Sequence, residues 1–108
     1  MQRRAALPSG IAMAVQDRAG RIVTLTEVTM ERHIERRHVE MRGYELAIAT
    51  TLETGIRYRA GQDGREKFFA RQLGPGKWLA VVVAYSGRTG RVITAYADKN
   101  GPKEADRI

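Results

Sequence analysis

The chain has 108 residues, no cysteine and a formal net charge of +7. That length fits one domain and leaves no room for two cores, and the missing cysteines exclude a disulfide framework and thiolate chemistry. No apolar run approaches the ~20 residues of a membrane span, and the basic start "MQRRAALPSG" lacks the apolar core of a secretion signal.

In chain order, residues 1–10 read as a disordered arm. "IAMAVQ" (11–16) and "RIVTL" (21–25) are short apolar runs around "DRAG", which suits a hairpin turn with its glycine at positive φ. Thr26 or Thr29 can cap a helix, and Glu27 and Glu31 favour the positive end of its dipole. Met30, Ile34 and Met41 share one helical stripe. Val39 lies opposite that stripe, so this helix is expected to end near Arg37 or His38. Tyr44, Ile48 and Leu52 recur every four residues, predicting a second amphipathic helix closed by Gly55.

The period then changes. "IRYRA" (56–60) alternates, with Ile56, Tyr58 and Ala60 on one face and Arg57 and Arg59 on the other. "REKFFARQL" (65–73) is a second strand, with Lys67, Phe69 and Arg71 on one side. "WLAVVVAY" (78–85) is continuously apolar, as a central strand buried on both faces would be. "RVITAYA" (91–97) is the last strand, and "GQDG", "GPG" and "SGRTG" between strands are turns. "DKNGPKEADRI" (98–108) closes the chain, with residues 99–108 read as a loose tail. Helices first and an antiparallel meander second make an α+β two-layer domain over residues 11–98.

The charge is uneven. Residues 1–54 carry eight arginines against seven acids, while residues 55–108 carry seven arginines and four lysines against five. Guanidinium forks match phosphate oxygens and stack on bases, so a polyanion, nucleic acid first, is the expected partner. An arginine-rich proteome would give the same count. If the apolar faces of the first, third and fourth meander strands pack on the helices, the opposite face collects Arg57, Arg59, Lys67 or Arg71, Thr94 and Tyr96. Such a face can hold phosphates and stack bases, or be an ordinary solvated surface.

In "MERHIERRHVEM" (30–41), His33 and Arg37 lie one turn apart. A neutral histidine can take a proton from a 2′-hydroxyl, a protonated one can donate to a leaving oxygen, and arginine can stabilise charge building on phosphorus. The bland alternative has His38 capping the helix and His33 packing at the helix–sheet edge. His33 and His38 are i, i+5 and diverge on a helix, and there is no HExxH, so neither a metal nor any other cofactor is expected.

The order "RIVTLTE…ERHIERRHVEMRG", "YELAIATTLET", "REKFFARQLGPGKWLAVVVAY", "GRVITAYA" resembles the phage- and toxin-associated branch of the barnase–EndoU–colicin–RelE-like (BECR) nuclease superfamily over about residues 21–98. The resemblance implies two N-terminal helices on a four-stranded antiparallel sheet, with room for an extra N-terminal strand or hairpin. It also implies metal-independent RNA cleavage by a toxin or phage effector. By position it implies His33, His38, Arg71, Thr94 and Tyr96 as catalytic, with Arg37, Arg57, Arg59, Lys67 and Lys77 holding RNA. The last strands lack the histidine of barnase-like enzymes, so the helical histidines must serve, or the domain binds RNA without cutting it. An acidic antitoxin or immunity protein is a further expected partner. The expected setting is the cytoplasm, or a target cell's cytoplasm if the domain is delivered by a larger toxin.

Overall fold

The computed structural model describes residues 9–61 and 64–108; residues 1–8 of the arm expected at 1–10 and the centre of the "GQDG" turn lie outside them. The strands are β1 (Ile11–Gln16), β2 (Ile22–Thr26), β3 (Ile56–Arg59), β4 (Arg65–Ala70), β5 (Trp78–Ser86) and β6 (Thr89–Asp98). They form one sheet in the order β1-β2-β6-β5-β4-β3. All neighbours are antiparallel except β2 and β6, which run parallel over Ile22–Thr24 and Thr89–Arg91.

This corrects the expected architecture. The sheet is mixed and six-stranded, not a four-stranded antiparallel sheet beneath two N-terminal helices. The β1–β2 hairpin is integral, because β2 pairs with a strand more than sixty residues later. A parallel pair needs a long crossover, and here everything from the first helical segment to β5 serves as that crossover. Short-range alternation carries no signal for such a pairing.

The first expected helix is also different. Residues Thr29–Glu35 form a π-helical segment, followed by a 3₁₀ turn at Val39–Met41. The Thr26 hydroxyl accepts the Thr29 N–H at 3.0 Å and so starts the segment. His38 leaves helical geometry at φ −130°, ψ 79°, which turns Val39 out into solvent while Met30, Ile34 and Met41 all reach the core. The α-helix α1 (Glu45–Thr54) follows. Gly55 after it is extended (φ −71°) and not left-handed. A Cβ there would collide with the carbonyl oxygens of Thr51 and Phe69, so glycine is required for close backbone approach.

The helical segments cover one face of the sheet. Between them lie Leu25, Ile34, Ile48, Leu52, Phe68 and Val81, all fully buried. Beyond Arg91, β2 no longer pairs with β6, and the π-helical segment and 3₁₀ turn fill that edge; Glu40 accepts the Ala97 N–H there at 3.5 Å. Residues 99–108, expected as a loose tail, return to β3. Tyr58 and Arg107 form a β-bridge, and the Ile108 N–H donates to Arg57 O at 3.1 Å, covering an edge that would otherwise invite pairing. Among the described residues no helix is long and apolar enough to cross a membrane.

Candidate functional site

The face away from the helices is where the sequence placed its chemistry. Alternation and register decide which side chains reach it. Phe68 belongs to the main core, and Phe69 belongs to a second cluster on the opposite face with Tyr58 and Ala80. The two adjacent phenylalanines thus serve two faces. With Phe69 on the open face, Arg65, Lys67 and Arg71 are there too.

Cross-strand pairing orders this face into rows. Arg65 pairs with Ala84, which pairs with Arg91. Lys67 pairs with Val82, which pairs with Thr94. Phe69 pairs with Ala80, which pairs with Tyr96. A register shift in β5–β6 between Val82 and Val83 leaves Ile93 without a partner. It keeps both Val92 and Ala95 in the core, so Thr94 and Tyr96 face the open side.

Three expected site residues meet here. The His38 ring lies 5.6 Å from the Tyr96 ring, centroid to centroid. The Lys67 ammonium is 6.0 Å from the centroids of both Tyr96 and Phe69, at the outer limit of a cation–π contact. Thr94 lies one row away on the same strand face. Arg71 is stacked over Trp78 at 4.2 Å, which holds a guanidinium flat on the surface. On the other side of His38, Glu40 Oε2 is 3.9 Å from Nδ1.

His33 does not join that group. It lines a separate open depression with Thr29, Arg65, Arg91, Val92 and Ile93. The two histidines therefore lie at different points along β6, His33 at Val92–Ile93 and His38 at Tyr96.

Arg57 is not on this face, contrary to the reading of "IRYRA". It pairs with Phe68 on the helix side, where its Nε and Nη2 donate to Glu66 at 3.0 and 3.1 Å. Ile56 and Tyr58 occupy the open side, and Tyr58 is buried there in the second cluster beside the returning tail. Alternation in β3 is real but its polarity is inverted, because Glu66 offers the arginine a partner and the second cluster offers the tyrosine cover. Arg59 is exposed at the strand end. Arg37 and Lys77 are exposed, Arg37 just past the π-helical segment and Lys77 in the β4–β5 turn.

Sequence reasoning missed two groups. Arg65 and Arg91 were legible in principle, since Arg65 alternates with Lys67, Phe69 and Arg71. The second group is a charged network on the helix side. Arg21 donates to Asp17 at 2.9 Å and forks onto Glu66 at 2.9 and 2.7 Å. Tyr85 donates to Asp17 at 2.6 Å, and the Arg21 guanidinium lies 3.6 Å above the Tyr85 ring. Burial pushes the Asp17 carboxyl up, but hydrogen bonds from Tyr85, Arg21 and Ala19 and the charge of Arg21 bring it below its ordinary value. Burial likewise pushes Glu66 up, and Arg21 and Arg57 together bring it down. Burial and the bond to Asp17 raise the Tyr85 phenol. Two carboxylates and two guanidiniums satisfy one another, so this network pins the β1–β2 turn to the sheet. It leaves no donor set turned toward a ligand.

Comparison with known protein families, curated proteins and solved structures finds no match.

Proposed function

We propose that this chain binds single-stranded RNA on the open sheet face and cleaves it by acid–base chemistry without a metal. The observation that carries the reading is the convergence of His38, Tyr96 and Lys67 on one surface, bordered by Thr94 and Arg71. Tyr96 offers a ring for base stacking, and Lys67 and Arg71 offer positive charge to phosphate. A neutral imidazole takes the 2′-hydroxyl proton. The freed oxygen attacks the adjacent phosphorus, giving a 2′,3′-cyclic phosphate, and the 5′-oxygen leaves with a proton from an acid. His38 serves one of these transfers, and the Lys67 ammonium or the Tyr96 phenol beside it serves the other, since His33 lines a separate depression.

Mixed RNA incubated with the protein in EDTA, from pH 5 to 8, tests this directly. His38→Ala is expected to lower the rate by roughly 10²–10⁴ while RNA affinity changes little. Binding without cleavage by the wild type rejects catalysis. It supports a second reading, a non-catalytic RNA-binding module. One observation favours that module: the 3.9 Å from His38 to Glu40 is too long for a hydrogen bond, so Glu40 does not orient the ring.

A further inference from the structure

We infer that Arg65, Arg91 and His33 form a phosphate subsite over Ala84, extending the open face into a track for several consecutive phosphates of one RNA strand. The inference rests on the RNA-binding reading above and adds a site that reading does not contain. Arg65 and Arg91 both pair with Ala84, from opposite sides. Neighbouring strands lie about 4.8 Å apart, so the two arginines flank a gap that the alanine methyl leaves open. Both arginines also line, with His33, Thr29, Val92 and Ile93, a depression of about 270 Å³ whose lining contains no acidic residue. Neither arginine is committed elsewhere among the described residues: no side-chain hydrogen bond or ion pair holds Arg65 or Arg91. Arg57 and Arg21, each forked onto Glu66, show how this protein treats structural arginines.

The depression sits in line with the first site. Rows on one face of an antiparallel strand repeat every two residues, about 7 Å. Along β4 the cationic rows are Arg65 and Lys67, then Arg71 beyond the Phe69–Tyr96 row. An extended nucleic-acid strand that stacks a base on Tyr96 and sets a phosphate at Lys67 therefore carries its next phosphate toward Arg65 and Arg91. Guanidinium pairs recognise phosphate oxygens bidentately.

The test compares ligands of different reach by fluorescence anisotropy: a labelled dinucleoside monophosphate, with one phosphate, and a labelled octauridylate. Arg65→Gln with Arg91→Gln is expected to weaken octauridylate binding by about tenfold per arginine, the low end for hydrogen bonds to charged groups. The dinucleoside monophosphate should be unaffected by that pair and weakened by Lys67→Gln. Arg91→Gln alone, at an exposed position, keeps the test valid should the double variant fold poorly. Octauridylate binding that is unchanged by the arginine variants but weakened by Lys67→Gln overturns the subsite and leaves the RNA-binding reading standing. If the wild type binds neither oligonucleotide, both fall. Inorganic phosphate binding that depends on Arg91 would then assign the depression to free phosphate and overturn the track.

Discussion

Glu66 accepts four hydrogen bonds from two arginines at distances between 2.7 and 3.1 Å, and its side chain is only 15% exposed. Replacing it with glutamine keeps the shape and leaves Arg21 and Arg57 without a counter-charge. Removing one partner of a buried pair is costly because the other charge stays buried, so Glu66→Gln should destabilise by about 2–3 kcal/mol in urea unfolding at pH 7. The sign of the pH dependence follows from the lowered carboxyls. A group whose folded-state pKa lies below its unfolded value stabilises the fold where it is ionised in both states. That contribution fades as pH falls from the ordinary values of 4.5 for Glu66 and 3.8 for Asp17 through their lower folded values. The wild type should lose stability through this acid window, and Glu66→Gln should lose less, so that the two curves converge. Parallel curves would show that the network contributes nothing beyond packing. None of this was legible in the sequence, where Asp17, Arg21, Glu66 and Tyr85 sit in four different local patterns.

At the scale of elements, periodicity located the strands but not their partners or their polarity. The apolar runs "WLAVVVAY" and "RVITAYA" led to β5 and β6 because both are long. "IRYRA" misled because alternation says which residues share a face and not which face is the core. A tyrosine between two arginines was assigned to the helix side, and a second apolar cluster under the returning tail took it instead. That tail reads as loose in sequence, being rich in glycine, proline and charge, yet Gly101 lies against the indole of Trp78. A Cβ on Gly101 would come within 2.5 Å of Trp78 Nε1, and its φ of +72° already disfavours any other residue. Gly101→Ala should therefore lift the tail from the sheet, at a cost of about 1–2 kcal/mol. Trp78 is the only tryptophan, so a red shift of the native emission reports the release. Gly90→Ala makes a useful contrast. Its Cβ would meet the Tyr85 ring at 2.7 Å on the helix side, so it should destabilise by a similar overpacking cost without moving the Trp78 spectrum. A shift in both variants would mean that the tail depends on the core as a whole and not on its contact with Trp78.

For the whole molecule, the question is whether the +7 charge acts through one face. The composition pointed to a polyanion but could not say which arginines face it. Six of the cations and imidazoles lie on or beside the open face (Arg65, Lys67, Arg71, Arg91, His33 and His38), whereas Arg21 and Arg57 are neutralised on the other side. If four phosphates are contacted, by Arg65, Lys67, Arg71 and Arg91, the log–log salt dependence of binding to single-stranded RNA should have a slope of about −3, at roughly −0.7 per contact. Lys67→Gln with Arg71→Gln should flatten that slope by about 1.4 on the same rule and leave the melting temperature nearly unchanged, since both side chains lie on the surface. Arg57→Gln should do the reverse, lowering the melting temperature by uncovering Glu66 and leaving the slope where it was. This pairing separates a charge that binds from a charge that folds, a distinction the bare count of fifteen arginines cannot make. A slope flattened by Arg57→Gln and untouched by the Lys67/Arg71 pair would place RNA on the helix side of the sheet. It would leave His38 and Tyr96 facing no substrate.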